Sequence, residues 1–156
     1  MKNEINKIKR TLEKDNVSIN LLELLEFSNV DNCIFFKFQQ IDNSIDVIDV
    51  IDVIDVNSIS PQFIDLSGYE ASINRFHIDD YVDNNILSQS LLFLEEFKRK
   101  WRKIYPSTSC TVLINFQNDK VGTFSTFTFH KNRSNETVFD ISDINTISQS
   151  ILIDIF

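Results

Sequence analysis

Residues 85–130 read NILSQSLLFLEEFKRKWRKIYPSTSCTVLINFQNDKVGTFSTFTFH. Leu87, Leu91, Leu94, Trp101 and Ile104 recur there at helical spacing, with Phe97 between them. A 3.6-residue apolar period makes a helix with one buried face. Glu95–Arg99 and Glu96–Lys100 are i,i+4 pairs with the acid first, the favourable order. Pro106 cannot continue a helix. The spacing therefore predicts one long amphipathic helix over about 85–104. The period then changes. Cys110, Val112, Ile114 and Phe116 alternate with Thr111, Leu113 and Asn115, the two-residue repeat of a strand. QNDKVG at 117–122 is the turn, pivoting on Gly122. TFSTFTFH at 123–130 is the return strand. Phe124 and Phe127 are three apart and cannot share a face of a regular strand, so a bulge near Ser125 is expected.

Working outward, Ile5, Ile8 and Leu12 mark a short helix over 3–14, and a second helical piece runs from Ile19 to near Phe27. Asn29, Asp31 and Asn32 are turn residues. CIFFKFQQI at 33–41 is apolar on both faces, which predicts a central strand. Phe63–Leu66 reads as a short strand, Gly68 as a turn, and YEASINRFHI at 69–78 as another strand. Asp79, Asp80, Asp83, Asn84 and Asn85 form an acidic loop that enters the long helix. Thr137–Ile141 reads as a strand. The tail has Asp143 as N-cap and Ile144, Ile147, Ile151 and Ile155 at helical spacing, although its ILIDIF ending also fits a strand. The order predicts an α+β domain. N-terminal helices precede a largely antiparallel sheet, and the long helix packs on one face of it.

A chain of 156 residues, 42% hydrophobic and 24% charged, is expected to be a single domain over 1–156. Few Ala, Gly and Pro beside many Ile, Asn and Lys point to an AT-rich genome, which weakens Ile as a strand signal. The start, MKNEINKIKRTLEKD, has no apolar signal-peptide core, and no stretch is long and apolar enough for a membrane span. Cys33 and Cys110 form no CxxC pair. These features predict a cytoplasmic protein with reduced thiols and no membrane partner.

The net charge of −8 is concentrated. Residues 41–83 hold ten acidic side chains and one basic, Arg75, for a net of −9, whereas residues 1–40 sum to zero and residues 84–156 to +1. At the centre lies IDVIDVIDVIDV, residues 45–56. A period of three fits neither a strand nor a helix. The repeat is expected as a surface loop, hairpin or edge strand, and its identical units suggest replication slippage. The acidic balance argues against nucleic acid, which Lys and Arg must grip. KRKWRK at 98–103 is read as a cationic helix end that suits the helix dipole.

No nucleophile stands in a catalytic pattern. A G-x-S-x-G elbow is missing, and Ser88 and Ser90 are expected on the polar side of the long helix. Cys33 and Cys110 fall on strand positions that predict buried, inert thiols. His77, Asp79 and Asp80 are too few for a zinc site, and two glycines supply no phosphate-binding loop. The expectation is a protein that is not an enzyme and has no metal or other cofactor.

LEEFKRKWRKIYP, the Phe-rich hairpin CTVLINFQNDKVGTFSTFTF and the following TVFDISD together resemble the small immunity proteins of bacterial polymorphic-toxin and contact-dependent growth-inhibition systems. The resemblance implies a cytoplasmic inhibitor that covers the active site of a cognate toxin domain, commonly a nuclease. An acidic surface suits such a basic partner by electrostatic steering. The candidate partner-binding residues are Asp46, Asp49, Asp52, Asp55, Asp79, Asp80 and Asp83. The alternative is a self-associating scaffold, a homodimer built on exposed Phe and Ile.

Overall fold

In the computed structural model the described residues are 16–42, 65–138 and 150–156. The helix expected at 3–14, the IDV repeat and the strand residues 139–141 lie outside them. Among the described residues four α-helices, α1 (Ile19–Leu22), α2 (Lys37–Asp42), α3 (Leu66–Ile73) and α4 (Ile86–Ile104), accompany six strands. The strands are β1 (Phe27–Val30), β2 (Cys33–Phe36), β3 (Phe76–His77), β4 (Cys110–Asn118), β5 (Thr123–Lys131) and β6 (Ser150–Ile155). They form an antiparallel pair, β1-β2, and an antiparallel sheet in the order β3-β5-β4-β6. The fold is α+β, with α4 packed against the larger sheet.

The hairpin β4-β5 is paired one for one from Cys110↔Lys131 to Asn118↔Thr123. The expected bulge is therefore absent. Phe127 and Phe129 face the core, opposite Ile114 and Val112, while Phe124 turns to the outer face. Ser125 takes the inner place instead, and its hydroxyl meets that of Ser90 on α4 at 2.8 Å. Ser90 is thus wholly buried, not on the polar side of the helix. The buried face of α4 is Ser90, Phe93, Leu94, Phe97 and Trp101, so the apolar stripe is rotated from the expected one and Ile104 is exposed. The ion pairs are rotated too. Glu95 pairs with Lys98 and Glu96 with Arg99, both i,i+3.

Aromatic rings fill the core. Phe36 meets Phe129 edge-on at 4.9 Å, Phe93 meets Phe127 at 4.9 Å, and Phe97 stacks on Trp101 at 5.6 Å. Offset and edge-on pairs of this kind add about 0.5–1.5 kcal/mol each beyond area burial. The Trp101 indole N–H donates to Thr108 O at 2.8 Å, which satisfies its polar atom.

Several sequence expectations change here. Phe27–Val30 is a strand, and Asp31 (φ 44°) and Asn32 (φ 70°) are both left-handed. That is a tight two-residue hairpin turn in which Asx residues are favoured. The strand after it ends at Phe36, opposite the first residue of β1; Lys37 N still donates to Glu26 O at 2.8 Å, and Lys37 opens α2. Residues 66–73 are helical, not a turn at Gly68 followed by a strand. Asp65 caps α3 by accepting from Gly68 N at 2.7 Å. The buried positions around this helix are Ser67, Glu70, Ala71 and Asn74, so its helical period is carried by polar side chains and hidden from an apolar count. Only Phe76 and His77 of the expected strand remain extended. In the tail, Ser150–Ile155 is a strand paired with β4, not a helix. Thr137 and Val138 lie outside any strand.

Candidate interaction surface

The polar groups of α3 join the two sheets. Glu70 Oε1 accepts from Ile34 N at 2.9 Å, and Asn74 Oδ1 accepts from Phe36 N at 2.9 Å. Asn74 Nδ2 donates to Ile34 O at 2.9 Å and to Phe129 O at 3.3 Å. Two side chains four residues apart on a helix thus take the place of a third strand beside β2. They also tie β2 to β5. Arg133 Nη1 lies 2.6 Å from Glu70 Oε2, and Glu70 is wholly buried. Burial raises the Glu70 carboxyl pKa, and the Arg133 guanidinium opposes that shift. The same guanidinium donates to Ser67 Oγ at 3.0 Å and Asn32 O at 2.8 Å, and its Nη2 lies 3.7 Å from Cys33 Sγ. Desolvation nevertheless pushes the Cys33 thiol up to about 11, so the arrangement does not make a thiolate.

The acidic loop follows β3. Phe76 and Ile78 are buried anchors, and between them His77 faces outward. β3 pairs with β5 only at Phe76↔Phe127 and His77↔Thr126. The next β5 amide, Ser125 N, is taken by Asp79 Oδ1 at 2.7 Å. The Asp79 side chain is 17% exposed and lies 3.7 Å from His77 Nδ1. Asp79 is therefore a ladder cap, whereas Asp80 and Asp83 are exposed. Asp83 edges an open groove of about 390 Å³ with Asn84, Asn85, Ile86, Phe116 and Thr123.

Of the acidic residues that concentrate charge in 41–83, the structure engages three internally. Asp65 caps α3, Glu70 pairs with Arg133 and Asp79 caps β5. Asp46, Asp49, Asp52 and Asp55 lie outside the described residues. Asp119, which is not among the residues expected from the sequence, stands exposed in the β4-β5 turn, near Phe116 and Thr123 of the groove that Asp83 edges. Its carboxylate accepts from Val121 N at 2.7 Å, Gly122 N at 3.3 Å and Gln117 Nε2 at 2.5 Å. These bonds hold its carboxyl below the usual carboxylate range, the Gln117 contact foremost. The N-D-K-V-G spacing of an Asx turn was the available signal. Gly122 has φ 155° and lies against the Phe124 ring, where a Cβ would come within 3.2 Å.

The opposite end of α4 is basic. Arg99, Lys100, Arg102 and Lys103 are exposed, and a groove of about 410 Å³ is lined by Arg99, Lys100 and Lys103 with Leu22, Leu25 and Glu96. Arg102 sits 5.4 Å over the Phe156 ring. Charge is thus segregated about α4: Asp80 and Asp83 lie in the loop that precedes it, with no acidic side chain in its first turn, and the basic side chains of its last turn suit the helix dipole. Among the described residues no three His, Cys, Asp or Glu side chains gather as a metal site. No described helix is long and apolar enough to cross a membrane.

These features define a small α+β protein with polarised surface charge and an antiparallel sheet closed on one face by a long helix. The chain belongs to the Uncharacterized protein PM0498 family, whose model matches residues 1–156. It is 60% identical over 154 residues to Uncharacterized protein PM0498 of Pasteurella multocida (strain Pm70), an alignment that covers 99% of this chain and 94% of that protein. No solved structure matches the chain.

Proposed function

We propose that this protein is a non-enzymatic, cytoplasmic immunity protein. It binds a cognate bacterial toxin domain of basic character, a nuclease by class, and covers its active site with an acidic surface. The observation that carries the reading is the segregation of charge. Asp80, Asp83 and Asp119 hold exposed carboxylates toward one end of α4, and Asp80 and Asp83 close the segment 41–83 whose sequence is net −9. A basic nuclease surface meets such an end by electrostatic steering, and bound protein excludes the nucleic acid. Asp79 contributes by fixing the loop, not by touching the partner.

The test is the association rate with a basic nuclease-toxin domain, measured across salt concentrations. Asp80→Asn with Asp83→Asn is expected to slow association several-fold and flatten its salt dependence, because exposed rim charges act mainly on the on-rate. An unchanged rate and slope would remove the acidic end from the interface. Neutralising Asp46, Asp49, Asp52 and Asp55 asks the same question of the repeat. The second reading is a self-associating module, which the open edge of β6 favours.

A further inference from the structure

We propose that two copies of this chain pair antiparallel through β6, with the two-fold axis at Ile153, to make one continuous sheet. The argument begins with hydrogen-bond parity. Cys110 N donates to Phe156 O at 2.9 Å and Phe156 N donates to Cys110 O at 3.1 Å. In an antiparallel ladder such reciprocal pairs alternate with pairs that exchange no bonds. With the register Val112↔Asp154, Ile114↔Leu152 and Phe116↔Ser150, the backbones of Asp154, Leu152 and Ser150 turn toward β4. Those of Ile151, Ile153 and Ile155 turn away from it. Among the described residues the sheet ends at β6, and no described strand pairs with these groups.

Open edges are normally guarded by Lys, Pro, a bulge or a covering element. β6 carries no Lys or Pro and pairs with β4 without a bulge. All three of its outward positions are isoleucine. Its single charge, Asp154, lies on the other face and is matched by Lys98 Nζ at 2.7 Å. Leu152 and Ile155 are exposed apolar residues, Ile155 at 55%.

The edge is also complementary to itself. Setting Ile153 opposite its own copy puts Ile151 opposite Ile155, and every outward backbone group finds a partner. A shift of two residues leaves one isoleucine unmatched, and a shift of one turns the bonding groups out of phase. In the favoured register the isoleucines form a stripe that continues Leu113 of β4, which pairs with Ile153. On the other face Leu152 lies opposite the partner copy's Asp154–Lys98 pair, so no unmatched charge is buried.

Sedimentation of the full chain over a wide concentration range is expected to show a monomer–dimer equilibrium. Ile153→Pro removes an N–H that β4 does not use, and proline is tolerated on an edge strand in this way. That variant is expected to keep its far-UV spectrum and to weaken dimerisation at least about tenfold. Ile153→Lys is the second variant if proline disturbs the fold. Mild oxidation of Ile153→Cys is expected to give a cross-linked dimer, while Ile151→Cys, far from its own copy, is not; Cys33 and Cys110 are buried and do not interfere. A monomer at every concentration overturns the proposal. So does a dimer insensitive to both Ile153 variants, or equal cross-linking by Ile151→Cys. A monomer that binds a toxin segment on this edge, with Ile153→Pro abolishing that capture, also overturns it. Dimerisation unaffected by Asp80→Asn and Asp83→Asn separates this outcome from the charge-driven reading.

Discussion

Asp79, Asp80 and Asp83 look alike in the chain, yet one is a backbone cap and two face solvent. What separates them is a single unpaired amide, Ser125 N, where β3 ends. Glu70 is more extreme. It is buried against Arg133, and removing one partner of such a pair leaves the other charge uncompensated. Glu70→Gln is expected to lower unfolding stability by about 3–5 kcal/mol, followed in urea by the fluorescence of the single tryptophan, Trp101. Burial, with a smaller effect from Arg133, holds the His130 imidazole below its ordinary 6.5. The unfolded chain then binds a proton that the folded chain does not. The His130 contribution is therefore full above pH 6.5 and is lost as pH falls through the folded value. Glu70, with its raised pKa, runs the other way, since its contribution is lost as pH rises from the ordinary glutamate range. The difference between wild type and His130→Asn isolates the histidine: wild type is expected to lose more stability than the variant on going from neutral to mildly acidic pH. For Cys33 and Cys110, burial raises both thiols. Both are expected to resist a thiol reagent in the native protein and to react promptly once it is unfolded.

At the scale of elements, α4 and the β4-β5 hairpin follow from periodicity because each carries its own apolar pattern. Phe127 lies where they meet, in contact with the rings of Phe36, Phe76, Phe93 and Phe97. Phe127→Ala is expected to cost about 3–5 kcal/mol, read by thermal or urea unfolding. Phe124→Ala, on the outer face, is expected to cost much less, and equal losses would mean that the two rings share the core. α3 was not legible in the same way. Its buried face presents Ser67, Glu70, Ala71 and Asn74, whose polar atoms bond partners distant in sequence. β6 was ambiguous because a run of isoleucine suits either period. The backbone of Cys110 decided it by offering a ladder.

Across the whole molecule, counting charge by segment overstated how much of it is free, because Asp65, Glu70 and Asp79 are engaged inside the fold. It also missed Asp119, which comes from the hairpin turn and joins the acidic end only in three dimensions. The same folding sets the basic end of α4 away from it. Partner association is accordingly expected to depend on salt through Asp80, Asp83 and Asp119 together. Replacing Asp119 by Asn keeps an acceptor for Val121 and Gly122 but loses the one that Gln117 uses; it is expected to lower the rate clearly and the stability only slightly, as binding kinetics and urea midpoints would show.

Sequence alone determined the α+β class, the long helix, the hairpin and the burial of both cysteines. Each rests on a local pattern that is satisfied within one or two neighbouring elements. Tertiary structure alone decided that residues 66–73 are a helix, that the tail is a strand, and which aspartates face solvent. Those outcomes depend on hydrogen-bond partners tens of residues away, and a buried polar group is stable only where such a partner awaits it.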